Sequence, residues 1–193
     1  MGVSPQALRQ RHLALDRALE PVATDMIDAG TIATFDPSKD TGSFRGALGT
    51  FVTGVTVVTA SSDEGPVGIV ANSFASVSLD PPLVLWSPAK SSKRFHHFSR
   101  SQHFAVHVLS AQQRDLCAGV ARSKTAINQF DLTTNLAGVP LLGEALATFE
   151  CDMHAVHDAG DHVIVVGLVT RCSHRDGDPL VFQGGKYGRF NET

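Results

Sequence analysis

Between Gly65 and Trp86 the chain reads GPVGIVANSFASVSLDPPLVLW, an apolar run that turns small and polar at Ala71, Asn72 and Ser73. Small side chains at the end of a strand let the backbone approach a flat ligand, whose ring edge can take hydrogen bonds from main-chain N–H groups. Ser73, Ser76 and Ser78 offer hydroxyls two and three residues apart, which suits a polyol chain or a phosphate. Pro81 and Pro82 then remove two backbone donors and stiffen the exit. A few residues on, SPAKSSKRF sets Lys90, Lys93 and Arg94 beside Ser91 and Ser92 where a helix is expected over 91–99. A helix N-terminus furnished with hydroxyls and cations attracts anions. The two stretches together fit a ligand with a flat head, a polyol middle and a phosphate tail, which describes a flavin nucleotide. A polar loop followed by a solvated helix accounts for the same residues without any ligand.

The remaining reactive residues offer less. No nucleophile–base pair stands out. His154 and His157 are three apart, so on a strand they face opposite ways and cannot share a metal; on a helix they could, with His162 as a third ligand. The β pattern around them favours the strand, and no metal is expected. His96 and His97 are adjacent, diverge on a helix and read as a solvated rim. Cys117, Cys151 and Cys172 lie far apart without a C-x-x-C and are odd in number, which suggests reduced, buried thiols in a cytoplasmic protein. Trp86 reads as core or pocket wall.

The bulk numbers bound the class. The 193 residues suffice for one domain with a sizeable core, or one domain plus an arm. Apolar residues are 42% and charged residues 18%, a soluble globular balance, and a net charge of -3 gives no basic field to hold nucleic acid. No apolar run approaches the roughly 20 residues that span a bilayer, and the N-terminus lacks a secretory pattern.

The elements that must position the site follow from periodicity. Leu8, His12, Leu15 and Leu19 recur at helical spacing before Pro21, and 22–42 is rich in Thr, Asp, Gly and Pro, so 1–42 reads as a helical arm and linker. From residue 43 a domain begins. Phe44, Leu48, Phe51 and Val52 share a helical face, with Ser43 as N-cap and Gly54 as the stop. Strands are expected over 55–59, 67–71, 83–86, 104–109, 147–157, 162–172 and 180–183, and a further helix over 111–121. DAGD and RDGD between the later strands are turn chemistry. Many strands with short turns and few helices point to a mainly β, antiparallel Greek-key barrel with helices at its rim.

The blocks FRGALGTFVTGVTVVTA, ANSFASVSLDPPLVL, FAVHVLSAQQ, GVPLL, LATFEC and GDHVIVVGLV occur in that order. In these the chain resembles the flavin reductase family, which has the FMN-binding split-barrel fold and includes the reductase components of two-component flavin monooxygenases of the 4-hydroxyphenylacetate type. The resemblance spans about residues 43–190. It implies that Ile69, Val70, Ala71, Asn72 and Ser73 line the isoalloxazine, chiefly through backbone groups, while Ser76, Val77 and Ser78 follow the ribityl chain and phosphate. It implies that Ser87, Pro88, Ala89, Lys93 and Arg94 hold the phosphate, and that Gly160, Asp161, His162 and Tyr187 lie at the nicotinamide site. Three positions depart from the family pattern. Val70 stands where Thr or Cys is common, His107 replaces the Asn of a VNVL strand, and AGVA at 118–121 lacks a Phe before Ala121.

The chemistry implied is hydride transfer from a reduced nicotinamide to a flavin, with the two rings stacked at about 3–3.5 Å. The protein supplies orientation and electrostatics, with His162 as an orienting residue, and needs no acid or base. The resemblance further implies FMN or FAD as flavin, NADH ahead of NADPH as donor, a homodimer, and a partner monooxygenase that receives reduced flavin. Two alternatives stand beside it: a flavin-retaining reductase of another acceptor such as a cobalt corrinoid, and a non-catalytic flavin- or haem-binding protein.

Overall fold

The computed structural model describes residues 32–191. The arm helix expected around Leu8–Leu19 lies outside the described residues. A compact unit runs from Asp40. Asp40 caps its first helix, α1 (Thr41–Gly49), by accepting the Ser43 N–H at 2.9 Å. The N-cap is therefore three residues earlier than Ser43. The helix also stops before Gly54, because Thr53–Gly54 forms strand β1 against β11 (Leu180–Gln183).

The main layer is a seven-stranded antiparallel sheet of β2 (Thr56–Ser62), β3 (Gly65–Ala71), β4 (Ala75–Leu79), β5 (Pro82–Trp86), β6 (His103–Val108), β9 (Ala147–Ala159) and β10 (His162–His174). Its order is β3-β2-β6-β9-β10-β5-β4. The two edge strands, β3 and β4, are consecutive in sequence and joined by three residues, Asn72–Phe74. A sheet whose outer edges are tied so closely must curl on itself, leaving a split where β3 and β4 part. The mainly β, antiparallel architecture expected is present. A three-stranded sheet β1-β11-β12, with β12 at Lys186–Arg189, and a hairpin of β7 (Leu132–Thr134) and β8 (Pro140–Leu142) complete the strands.

The apolar run in β2 reads as continuous because both faces are covered. Thr56 to Ala60 are all buried. Val58 and Ala60 point into a cluster with Trp86, Phe98, Phe104, Val106 and Val165. Val57 points the other way, to Leu116, Cys117, Val120 and Ile127 of the helical side. That helical side is α3 (Arg114–Arg122), in the range where a helix was expected, followed by the 3-10 turn Lys124–Gln129 that carries Ile127. The helix is entered through a 3-10 turn capped reciprocally by Ser110 and Gln113. Gly167, at a bulge where β10 meets β9, leaves room for Phe104: a Cβ there would sit 2.5 Å from the Phe104 ring.

Two other expectations are corrected. The helix expected over 91–99 is α2 (Phe95–Arg100), six residues long. The preceding 90–94 segment is a turn, in which Ala89 O accepts from Ser92 N. Cys117 and Cys151 are buried thiols, but Cys172 is exposed, because β10 runs past the edge of the core there.

Candidate active site

A cleft of about 580 Å³ opens on β3, beside the split. One wall is Ile69, Val70 and Ala71, on the edge of the sheet where no further strand pairs with them among the described residues. Asn72 and Ser73 turn under it. Trp86 to Ala89 at the end of β5, Ser92 to Arg94, Ala121 and His162 complete the lining. That brings together eleven of the residues singled out from sequence.

Hydrogen bonds fix these walls to one another. The Ser73 hydroxyl accepts from Ser87 N at 2.9 Å, so the end of β3 is stapled to the end of β5 across the split. Its oxygen therefore braces the cleft. Ala89 bridges to His162, and Val163 N donates to Pro88 O at 3.2 Å. The Ser87–Ala89 wall is thus held against the start of β10.

The electrostatics are one-sided. The lining carries Lys93 and Arg94 and no carboxylate. Arg94 is half-buried, and its Nη2 donates to Ala121 O at 3.2 Å, one of the carbonyls left unpaired in the last turn of α3. Burial draws the Arg94 pKa below its usual value, as for a cation that has lost part of its hydration. Lys93 is exposed and has no acidic partner among the described residues. Two cations without a counter-anion suit a phosphate monoester. The positive charge belongs to the loop before α2, and the helix itself is too short to contribute as expected.

The 158–162 turn sits beside the cleft as a latched unit. Gly160 has φ +71°, a left-handed conformation that glycine adopts without strain. Lys90 Nζ donates to Asp158 Oδ2 at 2.5 Å and to Gly160 O at 2.6 Å, while Lys90 N donates to Asp161 O at 2.9 Å. His162 Nδ1 lies 2.8 Å from Asp161 Oδ1, and this bond holds the Asp161 carboxyl below the usual carboxylate range. With Nδ1 committed, Nε2 of a neutral His162 is an acceptor at the cleft.

Some expected residues stand elsewhere. Ser76, Val77 and Ser78 belong to edge strand β4, paired with β5 through a bulge, and do not line the cleft. Gly160 and Asp161 shape its margin without lining it. Tyr187 borders a neighbouring cavity of about 180 Å³ with Val55 and Phe182; that cavity shares Val70 and Asn72 with the main cleft. The Tyr187 hydroxyl is 3.4 Å from Cys117 Sγ, and this contact with burial pushes its pKa up to about 12. His107 does not line the cleft. It is fully buried in β6 as a brace, with Nδ1 3.1 Å from Val57 O and Nε2 accepting from Leu142 N at 3.1 Å. Ser92 and Lys90 were marked from sequence only as part of an anion site; the Lys90 latch and Ala121 were not expected, and nothing local to Ala121 marks it.

A curled antiparallel sheet with a cation-lined cleft at its split, walled by small residues and backbone edges, defines a flavin-nucleotide oxidoreductase of the split-barrel class. The chain belongs to the flavin reductase family: residues 48–191 match the flavin reductase like domain. It is 61% identical over 149 residues to the FMN reductase (NADH) SmoA of Agrobacterium fabrum, covering 77% of this chain and 86% of that one. It is 41% identical to the reductase subunit HsaB of a flavin-dependent monooxygenase from Rhodococcus jostii, covering 75% of each. Among solved structures, an NADH:FAD oxidoreductase of Streptomyces globisporus superposes with a TM-score of 0.79 at 35% identity, over 86% of this chain and 95% of that one.

Proposed function

We propose that the chain is an NADH:flavin oxidoreductase that treats FMN as a diffusible substrate and hands the reduced flavin to a separate monooxygenase. The observation that carries this reading is the cleft itself, with its small-residue wall at 69–73, its cations Lys93 and Arg94 with no carboxylate in the lining, and the latched His162 turn at its margin. FMN and NADH are preferred because the 61% identical relative is an FMN reductase (NADH). A monooxygenase partner is preferred because several relatives are the reductase parts of two-component systems.

Bound flavin would supply the hydride-accepting ring, and the protein's residues do the placing. Ile69 to Ser73 would present backbone groups to the ring edge, so Val70 needs no polar side chain. Lys93 and Arg94 would neutralise the phosphate, and the Ser73–Ser87 staple keeps the two walls at a fixed separation. His162 would orient the nicotinamide, with its ring set by Asp161 and the turn set by Lys90. The open cleft lets both substrates enter and leave.

The subunit is proposed to work as a homodimer in the cytoplasm. α1 has no buried residue, and Leu48 and Phe51 are 61% and 75% exposed, an apolar surface that a second copy would cover. Among the described residues no helix is long and apolar enough to cross a membrane, and the three cysteines are free thiols. Light scattering on the purified chain checks the pairing. The function is tested by nicotinamide consumption with FMN or FAD in excess or withheld. Turnover that saturates with added FMN supports the proposal, and no turnover with either flavin or either nicotinamide overturns it.

A further inference from the structure

The β2–β3 hairpin and the first turn of α2 meet away from the cofactor cleft. Glu64 stands in the hairpin turn, between Ser62 at the end of β2 and Gly65 at the start of β3. His96 and His97 open α2. Neighbouring residues on a helix ordinarily project about 100° apart. Here the two imidazoles have converged, with ring centroids 3.8 Å apart and planes 39° apart. One ligand atom from each of Glu64, His96 and His97 lies within 4.8 Å of the other two. The three border a hollow of about 260 Å³ that is also lined by Ser61, Ser62, Asp63, Arg100 and Ser101.

We propose that Glu64, His96 and His97 form a binding site for a divalent cation, with Zn2+ the best match. Two imidazoles and one carboxylate are the donor set of borderline metals; Mg2+ and Ca2+ prefer all-oxygen shells. A tetrahedral ion with bonds of about 2.0–2.2 Å holds its ligand atoms about 3.3–3.5 Å apart, so modest side-chain rotations close the present spacing. The remaining coordination position faces the hollow, where water or the nearby Asp63 carboxylate fills it. None of the three ligands lines the cofactor cleft. Their positions nonetheless link it to the metal. β3 runs from this hairpin to the 69–71 wall, and α2 begins directly after Lys93 and Arg94. An ion at this corner clamps two segments that each lead into the cleft.

The test is calorimetric titration of untagged, full-length protein with ZnCl2, with MgCl2 as control, alongside thermal unfolding of the same samples. Three proteins are compared: wild type, the His96→Asn/His97→Asn double variant, and Glu64→Gln. The expected result is one equivalent of Zn2+ bound at micromolar concentration, a rise of a few degrees in the unfolding midpoint, and no response to Mg2+. The double variant should weaken binding about 100-fold and Glu64→Gln about 10-fold. Should the double variant fail the circular-dichroism check for folding, Glu64→Gln decides alone. No Zn2+ binding at 100-fold excess, or equal binding by the variants through other histidines, overturns the site.

Discussion

Replacing His107 with Gln should remove a specific part of the protein's acid sensitivity. His107 is sealed between β2 and the β7–β8 hairpin, with Nδ1–H donating to Val57 O and Nε2 accepting from Leu142 N. The second bond requires the neutral ring, because a protonated ring has no lone pair at Nε2 to accept the Leu142 N–H. Burial lowers its pKa from 6.5 to about 4, more than the Val57 hydrogen bond restores. In the unfolded chain the imidazole protonates near pH 6.5, while in the native state it resists until about pH 4. Between those values the unfolded state binds the extra proton. The stability held by the neutral ring is therefore complete above about pH 6.5 and is lost as pH falls towards 4. A difference of about 2.5 pKa units corresponds to about 3 kcal/mol over the full window and about 2 kcal/mol by pH 5. Urea unfolding at pH 7.5 and pH 5, on wild type and His107→Gln, isolates this contribution, because every carboxylate titrates in both proteins. Wild type should lose about 2 kcal/mol more than the variant on going to pH 5. Equal losses would refute the reasoning, since burial and the Leu142 N–H would then not be holding the ring neutral. Gln also costs the variant about 1–3 kcal/mol at pH 7.5, for a hydrogen-bond pair it matches poorly.

Lys93→Ala/Arg94→Ala should weaken FMN binding at least 10-fold in a fluorescence titration, with the far-ultraviolet circular dichroism unchanged; unchanged affinity would mean the phosphate lies elsewhere. Lys90→Ala should free the 158–162 turn and raise the KM for NADH about 3- to 10-fold while the FMN affinity holds, as steady-state kinetics with each substrate varied would show. Gly167→Ala should destabilise by about 1–3 kcal/mol in urea, because the new methyl group collides with Phe104 and Cys151, which are packed core.

The strands were legible where both of their faces are buried or where they alternate cleanly. Thr56–Ser62 and Gly65–Ala71 carry β-branched residues that fit no other element, and Leu180–Gln183 matches the expected range. Ala75–Leu79 was hidden because an exposed edge strand can be built from Ala and Ser, the composition of a loop. The same composition masks Ser76 and Ser78: their hydroxyls suit a phosphate, while in the structure they lie on β4, paired with β5, and do not line the cleft. Lys93 and Arg94 were legible as a charge cluster, while the helix thought to position them begins only at Phe95. Ser73 lines the cleft, and its bond to Ser87 spans fourteen residues, so no local pattern reveals it. His96 and His97 were read as diverging neighbours, and their convergence with Glu64 depends on a hairpin thirty residues earlier.

The most direct test of flavin as a diffusible substrate is anaerobic. The protein, at about one hundredth of the FMN concentration, is mixed with excess NADH, and the visible flavin absorbance is followed against the 340 nm nicotinamide band. Complete bleaching of the FMN pool, with one NADH consumed per flavin, is the predicted result. Bleaching that stops at about one flavin per protein would show a retained cofactor and contradict release, and no bleaching would contradict the flavin reductase assignment itself.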